Sequence, residues 1–153
     1  MKPSILFSLL LAFPFLYSCN RQGGHSSGPK SDTSSTKTCY IAIDGKDTAT
    51  LTVKEYAKKT GGTLVLNLDK KDNNNGQIEG NFKGDTLFVD YVFQIGNKGR
   101  WYRNPLAFLK KDGNLIMGVG EMETTWGKTY FRKDVPIDFT KGRFSFEPVD
   151  CKE

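Results

Sequence analysis

The chain has 153 residues, 37% hydrophobic and 25% charged, with 22 basic residues against 17 acidic ones and a formal charge of +5. Much of that excess lies outside the part expected to fold. Lys2, Arg21, Lys30 and Lys37, together with Asp32, fall in segments read below as signal and tether, which leaves 18 basic and 16 acidic residues, a net +2. Such a balance does not call for nucleic acid as a partner, and export argues against it further.

Lys2 gives a positive start, and residues 5–16 are almost wholly apolar, broken only by Ser8 and Pro14. That is the length of a secretory apolar region and too short for a spanning helix. The run ends in Leu16-Tyr17-Ser18-Cys19, with an aliphatic residue three positions before a cysteine and a small one directly before it. Residues 1–18 are therefore expected to be a lipoprotein signal peptide, cut before an acylated, palmitate-bearing Cys19; Tyr17 is bulkier than usual between those two positions. The alternative is an ordinary secretory signal ending near Ser18, with Cys19 a free thiol. Lys2 stands where N-myristoylation needs glycine, and Cys151-Lys152-Glu153 is not a prenylation box. The expected location is the bacterial cell envelope, at the outer membrane, on either its periplasmic or its surface face.

Residues 20–38 contain no aliphatic or aromatic side chain. Such a stretch cannot bury enough apolar surface to offset its ordering entropy, so residues 19–38 are expected to be a lipidated cysteine and a flexible tether. A coil of this kind spans about 25 Å. His25, the single histidine, lies in it and is a poor candidate for a catalytic base. The cysteines number three, Cys19, Cys39 and Cys151. If Cys19 is acylated, an even pair remains, and an oxidising compartment would link Cys39 to Cys151. Two thiols or a metal pair is the alternative, with no histidine or further cysteine near to complete a metal site.

Residues 39–153 have domain size and show period-two alternation. Ala49, Leu51 and Val53 alternate with threonines; Leu64, Leu66 and Leu68 follow; Ile78, Gly80 and Phe82 form a third face; Leu87, Val89, Tyr91, Phe93 and Ile95 form the longest. Further strands are expected over 106–110, 115–119, 129–131 and 144–146. Turns are expected at Asp44-Gly45, Gly61-Gly62, Asn73 to Gly76, Lys83-Gly84-Asp85, Asp112-Gly113-Asn114 and Lys141-Gly142. No helix is expected beyond one turn over 134–139. Short strands joined by short turns pair antiparallel. The expected fold is all-β, a small antiparallel barrel of about eight to nine strands, with a β-sandwich as the alternative.

Three runs carry a resemblance: Cys39-Tyr40-Ile41-Ala42, the segment from Lys71 through Gly76 to Gly80, and Gly84-Asp85-Thr86-Leu87 leading into Phe88–Phe93. With the final cysteine, they resemble a group of small bacterial lipoproteins of unassigned function. The resemblance covers most of residues 39–151 and departs from the pattern over 99–105. It implies an exported β-domain, and it implies no activity and no catalytic residue.

Candidate sites are few. Asp69 to Gly80 is rich in Asp and Asn, but an EF-hand register would start on Lys71 and end on Phe82, so a polar turn is expected and no metal. Asp85, Asp90, Glu121 and Glu123 are the carboxylates available for glycoside chemistry. With no histidine in the domain, serine and cysteine nucleophiles lack their usual base. No catalytic residue and no cofactor are assigned. Arg100, Trp101 and Tyr102, with Trp126 further on, combine flat rings and a cation and form the candidate contact site at one end of the barrel. The expected function is a monomeric, membrane-anchored, non-enzymatic binding module for a protein or glycan. A lipocalin-like carrier of a small apolar ligand is the alternative, with small residues such as Ala42, Ala49, Gly80 and Gly118 leaving room inside, and an envelope hydrolase comes third.

Overall fold

The structure is a computed structural model that describes residues 34–96 and 98–152. The expected signal peptide, Cys19 and most of the expected tether lie outside the described residues. Ten strands follow in chain order: β1 (Thr36–Asp44), β2 (Asp47–Glu55), β3 (Thr60–Asn67), β4 (Asn74–Lys83), β5 (Thr86–Ile95), β6 (Trp101–Lys111), β7 (Asn114–Met117), β8 (Met122–Thr125), β9 (Lys128–Phe131) and β10 (Ser145–Val149). Eight of them close an antiparallel barrel in which β1 to β7 run in meander order and β10 lies between β7 and β1. The remaining two, β8 and β9, make a separate hairpin. The fold is the small closed barrel expected from the alternation.

The alternating residues supply its interior. Leu51, Val53, Leu64, Ile78, Leu87, Phe108, Leu115 and Phe146 are each at most 2% exposed, and the Phe108 and Phe146 rings meet edge to face at 5.7 Å. Eight strands enclose a space that side chains can just fill. The glycines of β3 and β4 do not hollow it. A Cβ on Gly62 would stand 1.8 Å from the Thr52 carbonyl oxygen, and one on Gly80 would stand 1.9 Å from that of Phe88. Both positions let one strand's backbone press against its neighbour's.

Turn chemistry held at three hairpins. Gly45 (φ 61°), Gly84 (φ 59°) and the Asp112-Gly113 pair (φ 51° and 85°) take the left-handed conformations that two-residue turns require. Two turn expectations fail. Gly61-Gly62 lies inside β3, and Asn74 to Gly76 opens β4. Thr36 to Thr38 belong to β1, paired with Glu55 to Val53, so the barrel takes in the last three residues of the expected tether. Residues 134–139 form no helical turn; Asp138 instead bridges to Val119 by paired backbone hydrogen bonds of 2.8 and 2.9 Å.

Antiparallel order fixes the two rims. The lower rim carries the start of β1 and the β2–β3, β4–β5 and β6–β7 turns. The upper rim carries the β1–β2, β3–β4 and β5–β6 connections. Strand β10 closes the barrel with few pairings, three residues to β1 and two to β7. Both its ends are fastened. Below, Cys39 and Cys151 form the expected disulfide, with Cα atoms 5.2 Å apart. Above, Arg143 Nε donates to Asp44 at 2.5 Å and its Nη2 donates to Asp47. Between β7 and β10 the chain makes an excursion over residues 118–144, which holds the β8–β9 hairpin and a strap that follows it. Gly118 and Gly120 sit beneath the side chains of Ile137, Phe139 and Phe131, where a Cβ would collide.

Candidate functional site: the upper rim and a side groove

The β5–β6 connection is shaped by Gly96 (φ 57°) and Gly99 (φ 70°) and is tied to the neighbouring β3–β4 connection. Gly96 N–H donates to the Asn73 carbonyl at 2.8 Å, and Lys98 Nζ is ion-paired with Asp72. That hydrogen-bonded carboxylate holds the Lys98 ammonium above its ordinary pKa. The connection delivers Arg100 to the rim and leads into β6, where Trp101 pairs with Gln94 and Tyr102 with Phe93. Trp101 and Tyr102 therefore stand on a strand. The strand expected over 106–110 starts earlier, at Trp101, because the pairing with β5 carries it through Pro105.

Tyr102 faces inward at the mouth and begins a stack that descends into the core. Its ring lies 5.7 Å from Phe93, which lies 4.5 Å and nearly parallel to Tyr91. The Tyr91 hydroxyl donates to the Leu64 carbonyl at 3.0 Å, and burial pushes its pKa up. At the top, the Arg100 guanidinium sits 5.5 Å from the Tyr102 ring centre. Trp101, on the outer side of β6, is 60% exposed. The structure thus brings Arg100, Trp101 and Tyr102 together on one rim. Trp126 is elsewhere, at the tip of the β8–β9 turn, with φ 53° and a wholly exposed side chain that packs against none of the other three.

The remaining candidates have structural partners. Asp69 N–H donates to Asp47 and Leu68 N–H to the Asn73 side chain, so the Asp/Asn-rich run is a hydrogen-bonded strand connection. Among the described residues no three of His, Cys, Asp and Glu converge as metal ligands would. Asp90 is ion-paired with Arg103, and Glu121 lies 2.9 Å from Arg132. Asp85 occupies the β4–β5 turn, its carbonyl accepting from Lys110 N–H at 2.7 Å.

Sequence reasoning missed a second concavity. The excursion after β7 lies against the outer wall of the barrel and leaves a groove of about 820 Å³ between them. Phe88 and Pro105 line its wall side, and Phe131, Val135, Ile137 and Phe139 line the other. One signal was present: Phe88 sits on the face of β5 opposite to the longest apolar run, where a solvated barrel wall would carry a polar residue.

No protein-family model matches this chain, no curated protein matches its sequence, and no solved structure matches its fold. The functional reading therefore rests on the residues themselves.

Proposed function

We propose that this protein is a lipid-anchored, non-enzymatic binding module of the bacterial cell envelope that engages a protein or glycan through its upper rim. The observation that carries the reading is Trp101, a large ring left 60% exposed beside Arg100 on a rim held by two tied connections. Rigid rings and arginine dominate contact surfaces because they offer area at little entropic cost. The chain enters the barrel at Thr36, on the rim opposite to this one. Trp126 offers a second exposed indole on the excursion. The Cys39–Cys151 disulfide supports an exported domain. A carrier with its ligand inside the barrel is less favoured, since core side chains occupy that space. A hydrolase gains nothing from Asp90 and Glu121, each committed to an arginine.

Two measurements test the reading. Cys19→Ala should leave the protein unacylated and released from the membrane fraction; retention of the variant, with no lipid on the wild type, overturns the anchor. A photo-crosslinking residue at position 101 should trap one partner in the envelope that the same residue at position 111, on the lower rim, does not trap. Equal capture from both positions overturns the rim as the contact site.

A further inference from the structure

The groove beside the barrel carries an inference independent of the rim reading. An eight-stranded meander could join β7 to β10 by a turn. This chain instead folds residues 118–144 back against the wall and keeps an apolar concavity between them. Its volume of about 820 Å³ lies within the roughly 300–1,000 Å³ typical of small-molecule sites.

Charge at the groove narrows the occupant. Three carboxylates line it, and two of them, Glu79 and Asp90, have a cation of their own. Lys59 lies 3.7 Å from Glu79 and Arg103 is paired with Asp90, while Glu123 makes no ion pair among the described residues. Arg132 is held by Glu121 at 2.9 Å and Asp134 at 2.5 Å. The two lysines of the lining, Lys83 and Lys133, have no carboxylate within ion-pairing distance among the described residues. Lys83 extends over the Phe88 ring at 5.5 Å, which holds its ammonium above the apolar wall. Apolar walls with two spare ammonium groups suit one ligand chemistry.

We infer that the groove between the outer barrel wall and the excursion binds a single-chain amphiphile with an anionic head, its apolar chain lying between Phe88 and Ile137 and its head meeting Lys83 or Lys133. Apolar burial supplies affinity, and the lysines supply the preference for negative charge.

Sodium dodecanoate is the probe, titrated by calorimetry into the full chain carrying Cys19→Ser and purified without detergent. The expected result is saturable binding at one site, with dodecyltrimethylammonium failing to compete. Phe88→Asp should abolish binding, and Lys83→Glu combined with Lys133→Glu should weaken it at least tenfold. If Phe88→Asp does not fold, as judged by its melting transition, Val135→Asp on the strap takes its place. Absence of saturable binding overturns the proposal, as does equal binding by the wall variant. Equal competition by the cationic amphiphile overturns the assigned head-group chemistry.

Discussion

Removing the disulfide should be the largest single perturbation of this barrel that leaves every core side chain in place. Cys39 and Cys151 are 112 positions apart, so the bond ties nearly the whole described chain into one loop. In the chain-entropy account, a loop of that size restricts the unfolded ensemble by about 5 kcal/mol at 25 °C. Natural disulfides removed from small domains cost about 2–5 kcal/mol, against a typical total stability of about 5–15 kcal/mol. The double variant Cys39→Ser, Cys151→Ser should thus unfold in urea with a loss inside that range. Its denaturant slope should rise, because the open unfolded chain exposes more surface. Far-ultraviolet circular dichroism is the suitable probe, since both tryptophans are already exposed and report poorly on unfolding. Hydrogen exchange adds a local reading: β10, with three residues paired to β1 and two to β7, should lose protection first. A loss below about 1 kcal/mol with an unchanged slope would refute the loop argument.

Three further outcomes follow from particular residues. Trp126 holds φ 53° with no packing to justify it, so Trp126→Gly should raise stability by up to about 1 kcal/mol; a lower melting temperature would show that the indole supports the hairpin. Phe146→Ala removes a ring 0% exposed that meets Phe108 edge to face and should cost about 3–5 kcal/mol in urea unfolding, whereas a cost under 1 kcal/mol would mean that the barrel interior is looser than its burial indicates. The Asp138 carboxyl is lowered from 3.8 to about 2, first by the Thr140 hydroxyl, then by the Thr140 N–H and Lys141. A depressed carboxyl stabilises the fold fully above its unfolded value, so the strap should loosen as pH falls below 3.8 and through about 2. Strap hydrogen exchange across that range should be flatter in Asp138→Asn, and an identical profile in the variant would refute the assignment.

The barrel was legible where one face of a strand is buried. Leu87, Val89, Tyr91 and Phe93 announce both the strand and its inner face, and β2 and β4 read the same way. Glycine was the main source of error. Gly61-Gly62 reads as a turn because glycine permits turns, yet here it permits close backbone approach within a sheet, which only the neighbouring strand reveals. Strand β8 was illegible because all four of its residues are exposed, so no alternation marks it. Trp101 and Tyr102 were singled out as candidate contact residues from their chemistry; their separation from Trp126 depends on where the excursion folds. The groove was out of reach for the same reason, since its two walls are distant in sequence and only the excursion's path brings them together.

The position of β10 also sets an order of events. Strands β1 to β6 each pair with the next, so β1 to β7 can assemble as the chain emerges, N-terminus first. The outer edges of β1 and β7 have no partner until residues 145–149 arrive, and that of β1 waits longest. Throughout synthesis, the β1 edge is an open row of backbone donors and acceptors, flanked by the exposed Ile43. Open edges of this kind invite pairing with other chains. Whatever shields the nascent protein must cover its first strand until its last strand is delivered.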